Sequence, residues 1–596
     1  MPLPLRCPAP AFSWWADAAV VDVHLDLLDP TSQLVGVCLR LRPRFRQLRL
    51  QLPGWTPGSY LIRDYVRHLE ALELRQGGES IALRRLGPAC WQASIQPDGP
   101  DLEIRYRVLA PELTVRTCHL DQDHGFLALA AVVLEVEGER WSPHRLRCLL
   151  PPDWQAFTPL PGDAAGPEGV LARDLDHLLD SPLELGPHCA HDFTVAGVPH
   201  RWLTWAGPAG ADAWLLERFP ALLADVERIC LACCRLMGQP SPAAERYLFI
   251  LHLLDEGYGG LEHDDATVLV YGRRNLEKPD GYRRLLQLIA HEYLHQWNVR
   301  RLRPAELSPI DYHRPVPVPT LWFAEGVTSY VDQLLPLIAG LSDSEALLED
   351  LGADLSRYRL TPGRAVQSLR DSSQEAWVKL YRADAHAGDS QVSYYLKGAV
   401  VALCLDLHLR SVGSCLAAVL QDLWASHGRW GRGYSESDLL AAFAAHCPQL
   451  EHLLPHWLTS KDDPDLDGYL RSVGLLLEPV QPTTPWIGAT LATDQGQLLA
   501  RRVQRNSPAQ RSGLCISDEL LALAGRRLRQ PEDLQALLLP GDEQELLISR
   551  HGQLRTLHLS AAAPRVERYR LVQDPAAPSE ALDLRHRWLA LLPEPG

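Results

Sequence analysis

The stretch Tyr282-Arg283-Arg284-Leu285-Leu286-Gln287-Leu288-Ile289-Ala290-His291-Glu292-Tyr293-Leu294-His295-Gln296-Trp297 decides how this chain is read. Tyr282, Leu285, Leu286, Ile289, Ala290, Tyr293, Leu294 and Trp297 recur at i, i+3, i+4, i+7 spacing, which predicts a helix with one apolar stripe. At about 100° per residue that stripe covers half the helix, and His291, Glu292 and His295 fall on the other half. A spacing of i, i+4 brings the two imidazoles close enough to share one ion. The core is expected to grip the back of the helix and leave this face open to a cleft. Two histidines on a solvated face is the plainer alternative, but Glu292 stands where a general base must stand. HExxH arises by accident in roughly one in twenty chains with this many histidines, so its surroundings have to support it.

A catalytic zinc takes three protein ligands and keeps a position for water. Glu325, in Leu321-Trp322-Phe323-Ala324-Glu325-Gly326-Val327, is the best third ligand, because a carboxylate among so many apolar residues is costly to bury unless paired or metal-bound. A salt bridge to a nearby arginine is the alternative. Glu306 and Asp311 are rivals in the Pro-rich loop 303–319. With His291, His295 and Glu325 as ligands, one Zn2+ per chain is expected and Glu292 is the base. Ser329, one turn after Glu325, is placed to orient a ligand.

Working outward, the first ~190 residues alternate apolar and polar, as in Val21, Val23, Leu25, Leu27 and again in Leu102, Ile104, Tyr106, Val108. This predicts an all-β domain over 1–192. Residues 193–478 read as mostly helical, with short strands at Tyr247 to Leu254 and Thr267 to Tyr271. After a Pro-rich break, 479–562 forms a smaller unit, and 563–596 is a tail with a helix from Ser579 to Leu592. The fold class is therefore multidomain α+β.

A net charge of −16 with no basic block argues against nucleic-acid binding. No run of eighteen apolar residues is present, and Trp14, Trp15 and Asp17 interrupt any secretory core, so neither a membrane partner nor a signal is expected. The 13 scattered cysteines suit a cytoplasmic protein; Cys230, Cys233 and Cys234 are read as core residues of a helical pattern. Asp463-Pro464-Asp465-Leu466-Asp467-Gly468 imitates a calcium loop, but its twelfth position is Gly474, so no calcium is expected.

HEYLHQWNVRRLRPAEL (291–307), LWFAEGVTSYV (321–331), GYGGLEH (257–263) and PGWTPGSYLIRDY (53–65) resemble signatures of the M61 metallopeptidases, a glycyl-aminopeptidase-like group related to the M1 aminopeptidases. Twenty-nine residues separate His295 from Glu325, a gap that resembles M61 rather than M1. The resemblance implies a β-rich amino-terminal domain, a thermolysin-like catalytic domain with a helical portion, and a carboxy-terminal PDZ-like domain. It implies that Glu262, beside Gly259 and Gly260, grips a substrate's amino group, which is largely cationic at neutral pH. It also implies that Tyr395 hydrogen-bonds the developing oxyanion, with Tyr394 as the competing ring. Ala266-Thr267 stands where the family often has Ser-Thr.

Ile487, Gly488 and Ala489 resemble a carboxylate-binding loop for a peptide C-terminus; a domain that only packs on the enzyme or mediates assembly is the alternative. The implied activity is removal of small amino-terminal residues (Gly or Ala) from peptides. A PDZ-bearing endopeptidase and an inactive peptide-binding scaffold remain the competing readings, and homo-oligomerisation is left open.

Overall fold

The computed structural model describes residues 20–207, 211–481 and 483–590. The amino-terminal stretch read above for a signal, and the last two residues of the expected terminal helix, lie outside them. The chain divides into two compact units, one comprising residues 1–316, 339–341 and 420–435, the other 317–338, 342–419 and 436–596.

The first unit is built from sheets, as the alternation predicts. An eight-stranded sheet has Val21–Asp26 at its centre, parallel to His144–Leu149 and antiparallel to Leu34–Leu41. Its Leu102–Leu109 strand alternates buried and half-buried positions strictly, the mark of a sheet with one covered face. Two four-stranded sheets complete the β-rich part. One of them pairs Gly125–Leu127 with Leu183–Gly186 in antiparallel register.

A separate five-stranded sheet starts at Ala190–Val195 and continues through Val198–Trp205, Tyr247–Leu254 and Ala266–Gly272 to the edge strand Tyr258–Glu262. Its three middle strands run parallel. Tyr247–Leu254 is therefore buried at nearly every position, as expected of a strand covered on both faces. The helical pattern expected between Leu215 and Met237 is two helices, Ala211–Arg218 and Leu222–Leu236, interrupted at Pro220. Cys230, Cys233 and Cys234 are buried in the second.

The motif helix spans Gly281–Leu294. Its buried face is wider than the stripe alone predicts: Gln287, Leu288 and Glu292 are buried along with Leu285, Ile289 and Tyr293. Only His291 among residues 285–300 is half-buried. The polar face is covered too, because the edge strand Tyr258–Glu262 packs against the helix.

The second unit combines helices with a smaller β unit. Its longest helix is Tyr394–Ser411, flanked by Thr328–Ile338 and Ser344–Arg359. The expected calcium look-alike is a helix start: Asp465 Oδ1 accepts the Gly468 N–H, Asp467 pairs with Arg359 at 2.7 Å, and Asp463 meets Arg364. From residue 489 to 560 six strands form an antiparallel sheet, ordered Ala489–Asp494, Gln497–Val503, Glu519–Leu523, Glu543–Arg550, Gln553–Ser560, with Arg526–Arg527 pairing Glu519–Leu523 off this path. Leu498, Ala500, Leu520, Leu546 and Ile548 fill its core.

The segment expected to be a tail folds back on the helical part. Arg568–Gln573 pairs with Leu475–Val480 along its full length. In the helix Ser579–Ala590, Trp588 is fully buried and donates its indole N–H to Tyr330 Oη at 2.7 Å. An apolar ring of that size with a satisfied N–H is an anchor, and a disordered tail would not bury one.

Burial pushes the imidazoles of His24, His144 and His200 down to about 4, each within a strand of the first unit. Their folded values lie below the ordinary 6.5, so between the two values the unfolded chain binds the extra protons. Stability is then fully present above pH ~6.5 and is lost as pH falls toward ~4. Thermal unfolding followed across this window is expected to show a falling midpoint, and His200→Gln a shallower fall.

Candidate active site

In the first unit, His291 and His295 place their ring centroids 4.6 Å apart with planes at 86°, the neighbourhood that an i, i+4 spacing creates. His295 closes the helix, and its Nδ1 lies 2.8 Å from the Asn298 carbonyl. Nδ1 therefore carries the proton and donates it, which leaves the Nε2 lone pair as a ligand. Metal-binding histidines are oriented in this way.

Glu262, Glu292 and His295 are 4%, 5% and 1% exposed, and their donor atoms lie within 4.8 Å of one another. Two carboxylates so close inside a protein require a cationic partner. Glu262 Oε1 has no hydrogen-bond partner among the described residues. The cluster is therefore built to receive positive charge.

Glycines make this packing possible. A Cβ on Gly260 would lie 2.2 Å from Glu292 Oε1, so the strand can rest on that carboxylate only without a side chain. Gly58, at φ +84, does the same above Glu262, where a Cβ would come within 2.6 Å of Oε2. At Gly259 a Cβ would meet nothing within 4 Å, which leaves that side of the edge strand open.

Behind Glu262 runs a charged network that sequence reasoning missed. Arg300 reaches Asp180 at 2.6 Å and Asp264 at 3.0 Å, while Asp180 also accepts the Asp264 N–H at 2.7 Å and meets His263 at 3.2 Å. Burial alone would raise the Asp264 carboxyl, but Arg300, with Arg303 and Arg301, holds it below its ordinary value. The Arg300 N–H donates to the His295 carbonyl at 3.0 Å. The network therefore ties the turn after Glu262 to the end of the motif helix. Asp180 lies far upstream in the chain, and no local pattern marks it.

The rivals for third ligand are otherwise placed. Asp311 accepts the His313 N–H at 2.9 Å and pairs with Arg314 at 2.7 Å, and Glu306 is exposed.

In the second unit, Glu325 is 2% exposed on a π-helical turn, Trp322–Val327, that runs into Thr328–Ile338. Such turns insert an extra residue into a helix and are common at functional sites. This turn crosses the helix Tyr394–Ser411 glycine to glycine. A Cβ on Gly326 would sit 2.5 Å from Gly398 Cα, and one on Gly398 would sit 2.9 Å from Gly326 Cα. The crossing holds Glu325 and Tyr395, each next to or near one of these glycines, on two backbones in contact.

Tyr395 stacks on Tyr394 at 4.6 Å, and its hydroxyl lies 3.1 Å from that of Tyr381. Burial, then the charge of Glu325 and the Tyr381 hydroxyl, push the Tyr395 phenol well up. It stays protonated at neutral pH and can donate a hydrogen bond. The competitor Tyr394 is fully buried, whereas Tyr395 is half-buried.

Also in the second unit, Ile487, Gly488 and Ala489 line a groove of about 360 Å³ with Leu491, Leu534 and Leu538. Gly488 has φ +72, and a Cβ there would strike Ser507 at 2.4 Å. The strand beside the groove, Ala489–Asp494, is the edge of its sheet.

Two family models match the chain, the M61 glycyl aminopeptidase over residues 284–401 and the M61 N-terminal domain over 22–187. The first takes in His291, Glu292, His295, Glu325 and Tyr395. The chain is a metallopeptidase that is similar to the M61 family over both stretches. The chain is similar to an aminopeptidase N family protein from Idiomarina loihiensis, with 28% identity, 96% of this chain and 100% of that chain covered, and a TM-score of 0.88. An M1 zinc metallopeptidase from Deinococcus radiodurans matches at 18% identity over 76% of this chain and 95% of its own, with a TM-score of 0.47. A comparison with curated proteins found no match.

Gly326→Ala is expected to cost about 1–3 kcal/mol by forcing the two backbones apart. Urea unfolding monitored by helix signal would measure it. The same variant should lower activity more than Gly87→Ala, whose Cβ meets only Cys90 Cβ at 4.0 Å.

Proposed function

We propose that the chain is a zinc-dependent aminopeptidase that removes small residues, glycine or alanine, from the amino ends of peptides. The observation that carries the reading is the convergence of Glu262, Glu292 and His295 beside His291, with the His295 tautomer set by Asn298.

The donor set fits zinc: two imidazoles one turn apart, one of them with its outer nitrogen already committed to a carbonyl. His291, His295 and Glu325 would hold one catalytic zinc per chain. Bound there, the ion would polarise the scissile carbonyl and bring the pKa of water to ~7.

The chain's own groups do the rest. Glu292 takes a proton from the attacking water as its oxygen bonds to the carbonyl carbon, and returns that proton to the leaving nitrogen when the C–N bond breaks. Tyr395, kept protonated by its surroundings, donates a hydrogen bond to the developing oxyanion. Glu262 pairs with the substrate's ammonium through the carboxylate oxygen that lacks a donor. Gly58 lies directly over that carboxylate, which favours short first side chains.

We read residues 479–562 as a PDZ-like domain whose groove takes a peptide carboxyl end by strand addition along Ala489–Asp494. The groove, the left-handed Gly488 and the place of Ala489–Asp494 at the end of its sheet support this. We propose a cytoplasmic location, which the scattered cysteines suit.

Glu292→Gln is expected to keep its catalytic metal and lose about 10²–10⁴-fold in kcat. Tyr395→Phe should lose about 10²-fold in kcat with KM little changed. Hydrolysis that persists in Glu292→Gln would remove that residue from the mechanism. A second comparison addresses the amino-end claim: glycyl or alanyl peptides should be cleaved, and their N-acetylated forms should not. Equal rates on both would make the enzyme an endopeptidase.

A further inference from the structure

The first unit holds another cluster of metal-binding side-chain types, which the peptidase reading does not use. Glu184, on the strand Leu183–Gly186, is 1% exposed, and three imidazoles aim a ring nitrogen at its carboxylate. His124 Nδ1 and His188 Nε2 each lie 2.9 Å from Oε1, and His252 Nε2 lies 2.8 Å from Oε2. The donor atoms of His124, Glu184 and His252 lie within 4.8 Å of one another.

The surroundings are apolar and aromatic. Trp205 stacks on His124 at 4.0 Å, Phe126 meets the His252 ring at 5.0 Å and Phe157 the His188 ring at 6.0 Å. Among the described residues no lysine or arginine forms an ion pair with Glu184. An ionised carboxylate in such a place requires a positive charge at close range. The outward nitrogens, His124 Nε2 and His252 Nδ1, have no hydrogen-bond partner among the described residues. The rings are thus not links in a longer hydrogen-bond chain; their one shared feature is the point on which they converge.

We propose that His124, Glu184 and His252 hold a divalent transition-metal ion, zinc by ligand type. Two nitrogens and one oxygen supply three protein ligands, and His188, whose Nε2 lies 2.9 Å from Glu184 Oε1, stands beside them. The nitrogens stand 2.8–2.9 Å from the carboxylate oxygens, short of the roughly 3.3 Å spacing of tetrahedral zinc ligands, so the set would open as the ion enters. The ion would join two sheets. His124 and Glu184 belong to the paired strands around Gly125–Leu127 and Leu183–Gly186, and His252 belongs to Tyr247–Leu254 in the five-stranded sheet.

The test is metal stoichiometry on the purified full-length protein by inductively coupled plasma mass spectrometry. The native chain should carry two equivalents, His252→Ala one, and His295→Ala one, with the equivalent left in His295→Ala disappearing in the His252→Ala/His295→Ala double variant. If the peptidase site holds no metal, His295→Ala will match the native chain while His252→Ala still drops, so failure of that reading is distinguishable. Glu184→Gln, close in shape, covers the case in which His252→Ala is insoluble. A metal content unchanged by both His252→Ala and Glu184→Gln would overturn the proposal and leave a hydrogen-bonded clasp. So would the absence of any metal in soluble His295→Ala.

Discussion

A strand backbone lying directly on a buried carboxylate is the constraint from which the rest of the first unit follows. Gly260 leaves room for Glu292 where any side chain would collide with it. That contact buries the polar face of the motif helix, removes Glu292 and His295 from bulk water, and places Glu262 within 4.8 Å of both. Carboxylates in a low-dielectric setting interact strongly with whatever cation arrives. The same contact therefore sets both the cost of the site in the empty protein and its strength when occupied.

The cost is distributed over structure well outside the site. Arg300 and Asp180 hold the Glu262 turn to the end of the motif helix, so Glu262 does not have to be held by its own strand alone. In the second unit, two glycines let the π-helical turn bearing Glu325 lie against the helix that carries Tyr395. Each unit thus uses backbone approach at glycine to bring reactive side chains onto rigid elements, where they keep one orientation. The Glu184 cluster follows a related principle: a buried charge is tolerated because three imidazoles converge on it.

Several of these features were legible in sequence and others were not, for physical reasons. Helical phase located the motif helix and its apolar stripe because i, i+4 neighbours are set by the helix itself. It did not foresee that the opposite face is also covered, because the covering strand comes from an edge of a sheet whose order is not encoded locally. Alternation along Leu102–Leu109 predicted a half-covered strand, but nothing in 563–596 announced that Arg568–Gln573 would pair with Leu475–Val480. Hydrogen-bonded pairing between segments nearly a hundred residues apart depends on the packing that brings them together.

What the sequence by itself determined is the inventory and its local geometry: two imidazoles one turn apart, a glutamate between them, a glycine-rich strand ending in Glu262, and a second tyrosine beside Tyr394. These follow from covalent spacing and helical period. Tertiary structure alone decided which of these groups are buried, which tautomer His295 adopts, and why Gly58, Gly260, Gly326 and Gly398 cannot carry side chains. It also drew Glu184 together with His124, His188 and His252 from separate strands and turns. Burial, protonation and convergence are properties of neighbours in space, and a linear sequence does not state who those neighbours are.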